Sequence, residues 1–215
     1  PLRRALPGRA AYAPHAARAP QPDSPGSWRV EIFSFLERDV LLPSALLFCL
    51  NLSVPAATSF LVLYASEIGI GNLGWYFVVS GATSLLARPV LGRASDRIGR
   101  GRSLAAAFAL QVVALSLLVT ASGLTGLLIS GVLYMLGAAI GGSTILALAV
   151  ERANPQRRGR AMATFSVAFP LSAGVGALLT GGAVEIAGYF WMYLIVAGLL
   201  TSGLVLTLAN WSSLK

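Results

Sequence analysis

The chain has 215 residues, of which 56% are hydrophobic and 11% charged, and a formal net charge of +8. Its mean hydropathy is +0.74. A soluble domain of this size carries roughly 25% charged residues to wet its surface. Eight acidic and sixteen basic side chains therefore exclude a soluble globular enzyme, and the apolar content excludes a disordered chain. A polytopic membrane protein remains.

Residues 1–27 hold six of the eleven prolines, mixed with Ala, Arg and Ser, and have no apolar periodicity, so they read as a flexible linker or tail. They lack the apolar core of a signal peptide. With no initiator Met, the chain reads as beginning partway through a longer protein. From Ser27 to Asp39 charged and apolar residues alternate, as expected of a segment lying along a membrane surface. Six apolar segments follow, at 40–64, 73–91, 103–121, 124–150, 161–184 and 189–209. Each is near the roughly 20 residues needed to cross a hydrocarbon core of about 30 Å. They are apolar on all faces and too long for barrel strands, so the backbone satisfies itself as helix. The fold class is an all-α membrane protein with six transmembrane helices. Residues 1–39 form the tail, 40–210 the bundle and 211–215 the C-terminus.

The basic residues fall in alternate connections. Ser66–Asn72, Ala121–Gly123 and Glu185–Gly188 contain no Lys or Arg, and all sixteen basic residues belong to the opposite side. This is a topology signal, not a nucleic-acid footprint, and it puts both termini in the cytoplasm. Anionic lipid headgroups are the expected partners of these arginines. Tyr64, Trp75, Tyr76, Tyr189 and Trp191 mark one membrane interface, and Trp211 the other.

Gly137 and Gly141 form a GxxxG in the fourth segment, and Ser172, Gly174, Gly176, Gly181 and Gly182 crowd the fifth. Small residues of this spacing let helix backbones approach. Pro43, Pro55 and Pro170 lie within segments and are expected to bend or locally open them. The one cysteine, Cys49, permits no intrachain disulfide, and the one histidine, His15, lies in the tail. No His or Asp stands beside a Ser at membrane depth, so a membrane-embedded hydrolase has no machinery here. Neither a metal site nor a cofactor is expected.

After the second segment comes Gly92-Arg93-Ala94-Ser95-Asp96-Arg97-Ile98-Gly99-Arg100-Gly101-Arg102, expected to be a tight loop between antiparallel helices with Gly92 and Gly99 making its turns. Asp96 is the only carboxylate among the five arginines of Arg88–Arg102. The order G-x-x-x-D-R-x-G-R directly after an apolar helix resembles the signature loop of the major facilitator superfamily of secondary transporters, G-x-x-x-D-[RK]-x-G-[RK]-[RK]. Gly92, Asp96, Arg97, Gly99 and Arg100 match. Gly101 departs at the last basic position, and Arg102 supplies that charge one residue late. Arg88 resembles an arginine found before this loop in related efflux permeases, and Arg157-Arg158-Gly159-Arg160 is similar to the loop after the fourth helix of a six-helix half. The fifth segment's Gly176-Ala177 lacks the Gly-Pro of the antiporter motif.

The resemblance covers about residues 38–210 and implies one half of a twelve-helix unit, with solute held between halves near the midplane. The long basic segment before the first helix, and a fourth helix without an arginine, fit the C-terminal half. Its partner would be an N-terminal half or a second copy. The resemblance further implies that Asp96 pairs with the start of the fifth helix near Arg160 and Ala161, while Arg97 and Arg100 hold carboxylates or lipid phosphates. The result is a latch that favours one face of the alternating-access cycle. It places Asn51, Ser53, Thr58, Tyr134, Ser143 and Thr144, on the first and fourth helices, along the solute cavity. Gln111 would be peripheral to that cavity and structural. The expected function is transport of a small solute across the plasma (inner) membrane, with efflux of amphipathic compounds fitting the mostly apolar cavity set. The competing expectation is a non-transporting receptor or partner protein that keeps the fold. The carboxylates Glu67, Glu151 and Glu185 all lie near helix ends, so a proton-coupling acid belongs outside this chain.

Overall fold

A computed structural model describes residues 37–214 of the chain, without the side chains of residues 92–97 and 213. The tail and most of the expected surface segment lie outside the described residues. The helices are α1 (Leu41–Asn51), α2 (Val54–Glu67), α3 (Gly74–Ile98), α4 (Arg100–Val119), α5 (Leu124–Arg152) and α6 (Arg158–Ala209). No strand occurs among the described residues.

Helices α1 and α2 form one rod interrupted at Leu52–Ser53. Pro55, near the start of α2, has no N–H to return to the carbonyl of Asn51, so the ladder fails one turn upstream. Pro43 sits in the first turn of α1, where the missing N–H has no helical partner to lose. Pro170 corrects the expectation of an opened helix, because among α6 residues only Gly188 leaves helical angles. At 52 residues and 1.5 Å per residue, α6 would be about 78 Å long, far beyond a hydrocarbon core. Gly188, at φ 79° and ψ 176°, breaks it into two arms, 158–187 and 189–209, that turn back on each other with hardly any loop. The bundle therefore has six rods.

Among the described residues, four stretches (38–67, 100–119, 124–152 and 155–209) are long and apolar enough to cross a membrane, and the last supplies both arms of α6. Helix α3 is 25 residues long, about 37 Å, and long enough to cross. Arg88 and Pro89 inside it lower its hydropathy.

The rod α1–α2 lies at the centre and touches α3, α5 and both arms of α6. Leu50 meets Gly141 and Ser53 meets Tyr134, so it runs antiparallel to α5. Cys49 meets Gly203 and Tyr64 meets Tyr189, so it is antiparallel to the second arm. Val40 packs with Ala161 and Leu52 meets Gly176, so it is parallel to the first arm. Helix α4 closes the far side, with Ala107 and Gln111 against Gly137 and Phe108 against Gly203. Of the small residues singled out in the fourth and fifth segments, Gly137, Gly141 and Gly176 stand at close crossings, whereas Gly142, Gly174 and Gly182 have nothing within 4 Å; Gly203, outside that set, is as closely approached as Gly176. A Cβ on Gly137 would lie 2.8 Å from the Ala107 carbonyl oxygen, and one on Gly176 would lie 2.4 Å from that of Leu52.

Candidate functional site

The threading gathers the charged connections at one end of the bundle. Both terminal nitrogens of Arg100 pair with both carboxylate oxygens of Glu151, tying the α3–α4 junction to the end of α5. Arg157 lies 3.7 Å from the Glu37 carboxylate, and the Trp211 ring packs on Gly101. The opposite end holds the arginine-free turns, where the Tyr64 hydroxyl donates to the Ala121 carbonyl at 3.4 Å and the Tyr64 and Tyr189 rings stand 5.7 Å apart. Trp75 and Trp191 are exposed there, as interface aromatics should be, whereas Tyr76 is buried and so departs from the expected belt.

The loop after α3 is shorter than the sequence suggests. Helix α3 continues through Ile98, so Gly92 lies in helix, and the turn is Gly99 alone, at φ 95° and ψ 146°. That backbone region is essentially restricted to glycine, which is the physical reason for glycine at this point. The side chains of Asp96 and Arg97 lie outside the described residues. Arg88 and Arg102 are exposed, and Arg100 and Arg160 are partly buried.

Midway along the bundle, the break at Leu52–Ser53 is clasped from three sides. Ser53 is fully buried; its hydroxyl is 3.0 Å from the Tyr134 hydroxyl of α5 and 3.2 Å from the Leu50 carbonyl. Tyr76 of α3 donates to the Ala57 carbonyl at 3.3 Å, and Tyr193 of α6 to the Ala56 carbonyl at 3.2 Å. Tyr134 thus holds the Ser53 side chain at the interruption, while Tyr76 and Tyr193 add second hydrogen bonds to carbonyls in the first turn of α2, just past it. Tyr193 is not singled out in the sequence, and Tyr76 is read there only as an interface aromatic. The available signal is only that each is a tyrosine within an apolar segment, because a lone sequence gives no hint of register.

The six expected cavity residues divide into two sets. Ser53, Tyr134 and Thr144 are at most 3% exposed and face neighbouring rods of the same bundle. Asn51, Thr58 and Ser143 are half-buried, and each donates to its own helix: Asn51 to Leu47, Thr58 to Val54, Ser143 to Ala139. Gln111 is 1% exposed inside the bundle, with its carbonyl oxygen unpartnered among the described residues. No Asp or Glu is buried, and no group of three potential metal ligands occurs, among the described residues.

Between α1 and the first arm of α6 lies a groove of about 650 Å³. Leu41, Ala45 and Phe48 form one wall, and Arg160, Val167 and Leu171 belong to the other. The hydroxyls of Ser44 and Thr164, also on its walls, are turned back onto the carbonyls of Val40 and Arg160.

A bundle of apolar rods with a broken central helix and a sharply one-sided arginine distribution defines a polytopic membrane protein of transporter architecture. The family model of the Major Facilitator Superfamily matches residues 16–211, and the chain belongs to that family of membrane transporters. Among solved structures, it is similar to a POT peptide transporter crystallised with sulfate, with a TM-score of 0.70 and 21% identity. The superposition covers 80% of this chain and 37% of that one, so the chain spans little more than a third of that transporter's length. No curated protein matches the sequence. The family is one of membrane transporters, and the likeness to the solved structure shows the same fold.

Proposed function

We propose that the chain serves as one six-helix half of a twelve-helix secondary transporter, moving a small solute by alternating access, in the efflux direction. The observation that carries this reading is the tyrosine-clasped break in the central rod. A rod with a missing rung can swing its two parts with less disruption than an intact helix, and its hydroxyl clasps can exchange partners as it does so. Arg88 supports a partner half. It is exposed on α3 beside exposed Leu85, Leu86 and Val90, and an arginine facing lipid within a membrane helix carries a cost that snorkelling to the interface only partly removes. Cover by another half, or by a second copy, removes that cost.

In this reading the arginine-rich end faces the cytoplasm of a plasma (inner) membrane and rests on anionic headgroups. The half-buried Asn51, Thr58 and Ser143 approach the solute path, and Ser53, Tyr134 and Thr144 hold the rods that frame it. The junction residues Gly92, Asp96, Arg97, Gly99, Arg100 and Arg102 act with Arg160 as the latch. Each charge–dipole contact contributes about 0.3–2 kcal/mol, enough to bias a two-state equilibrium without freezing it. The test is counterflow in proteoliposomes containing the complete transporter, with a panel of amphipathic solutes. Saturable flux that falls in Tyr193→Phe supports the reading. Binding without flux for every solute contradicts it and favours a receptor.

A further inference from the structure

Helix α3 carries two stripes of opposite character. Tyr76, Ser80 and Ala87 are buried, and the first two pack on Gly131 of α5. Val78, Gly81, Leu85 and Arg88 are exposed, at the alternating three- and four-residue spacing that aligns side chains along one face of a helix. Nothing lies within 4 Å of a Cβ placed on Gly81, so this outer stripe has a notch where another helix can approach closely. Among the described residues, Arg88 has no ion pair or hydrogen bond.

The level of Arg88 in the membrane follows from its place in α3. It comes 13 residues after Trp75, the exposed aromatic at the arginine-free interface. Its Cα therefore lies about 20 Å into a hydrocarbon core of about 30 Å, roughly 10 Å short of the basic face. Side chains on a helix tilt toward its N-terminus, and α3 begins at the arginine-free end. The Arg88 side chain thus leaves the backbone pointing away from the nearer water, so snorkelling runs against its own tilt. An ionised group at this depth is stabilised by a counter-charge supplied inside the membrane. The described residues offer none at that level. Glu67 and Glu185 belong to the arginine-free end, Asp39 to the basic end, and Glu37 and Glu151 face Arg157 and Arg100 at the basic end. Asp96 is eight residues further along α3, about 12 Å nearer the basic face. Two copies joined symmetrically through this face would bring the same patch against itself, setting Arg88 near Arg88.

We infer that the outer stripe of α3 docks on a helix of a different, non-identical half, and that this helix carries an Asp or Glu at membrane depth opposite Arg88. The inference rests on the half-unit reading and adds the chemistry of the partner. The ion pair puts the guanidinium in protein instead of lipid, and a guanidinium can hold both oxygens of a carboxylate in one fixed orientation. The Gly81 notch lies two turns away, about 10 Å, so the pair and the notch together fix the register of the two helices.

The test places the photo-crosslinker p-benzoylphenylalanine at position 85, in place of exposed Leu85, in the complete transporter in native membranes. Cross-linked peptides are identified by mass spectrometry. The expected product joins position 85 to a helix of the other half, with an Asp or Glu within one turn of the attachment point. Arg88→Gln should lower its yield about tenfold or more, since it leaves the partner's charge buried and unpaired, and Arg88→Lys should retain most of it. Exchanging the charges, Arg88→Glu with the partner acid changed to Arg, should restore what either reversal alone loses. Gly81→Leu fills the notch without crowding this bundle and should also cut the yield, whatever Arg88 does. Attachment to a helix without a nearby acid, a yield unmoved by Arg88→Gln, or no recovery on charge exchange overturns the ion pair while the half-unit reading stands. Attachment only to position 85 of a second copy does the same. Attachment to lipid alone overturns both, because α3 would then have no partner half and Arg88 would be a headgroup ligand.

Discussion

Adding a single methyl group at Gly176 should be the most damaging small change in the bundle. The added Cβ would sit 2.4 Å from the Leu52 carbonyl oxygen, where ordinary contact begins near 3.4 Å. The crossing of the first α6 arm over the broken rod must therefore widen by about 1 Å. No rotamer change relieves this, because the obstacle is backbone, and the Pro55 ring at 3.3 Å blocks movement toward α2. Forced overpacking of this kind costs about 1–3 kcal/mol. Gly174→Ala is the internal control. It lies two residues away on the same helix with nothing within 4 Å, so it should change stability by no more than about 0.5 kcal/mol. Gly141→Ala should fall between them, since its nearest obstacle is the flexible end of Leu50 at 2.7 Å. Equilibrium unfolding in mixed micelles measures all three. If Gly176→Ala is as stable as Gly174→Ala, the close packing at the break is wrong, and the hinge role built on it falls.

A double-mutant cycle of Ser53→Ala and Tyr134→Phe should give a coupling of about 0.6 kcal/mol, and no more than about 1.7, the range for hydrogen bonds between membrane helices; additive effects would mean the two hydroxyls do not pair. Gly188→Ala should cost about 1–3 kcal/mol from backbone strain alone, because no atom crowds the added methyl, and unchanged stability would show that the two α6 arms can turn without this conformation. Asp96→Asn should slow transport while the protein still folds and inserts, as judged by flux and by monodispersity after extraction. A normal rate removes Asp96 from the latch.

Much of this architecture can be read from the residues because the membrane imposes it. The rods follow from unbroken apolar runs, and their common polarity follows from arginines in alternate connections. Gly137, Gly141 and Gly176 were legible as contact points because small residues let helices approach: the backbone contacts are at Gly137 and Gly176, and Gly141 receives the Leu50 side chain. The places where reading fails depend on register. Pro55 announces a break but not that Tyr76 and Tyr193 will close over it, and Tyr76 looked like an interface residue until its ring turned inward. Pro170 looked like a hinge, but its helix keeps regular angles. The break in that helix is Gly188, inside the Glu185–Gly188 connection expected between the fifth and sixth segments. The α3–α4 loop looked like a stretch of eleven residues, yet the helix runs on to Ile98 and one glycine makes the turn. The groove at Arg160 has no sequence signal at all, since Phe48, Val167 and Leu171 are ordinary apolar residues until two helices diverge.

The central claim is that six rods thread the bilayer with every basic connection on the cytoplasmic side. Single cysteines at Ser66 and Gln156, both exposed at opposite ends of the bundle, test it most directly in a Cys49→Ser background. A membrane-impermeant thiol reagent applied to intact cells should label the Ser66→Cys protein and leave the Gln156→Cys protein untouched. Inverted vesicles should give the reverse. Labelling of both positions from the same side would contradict the threading.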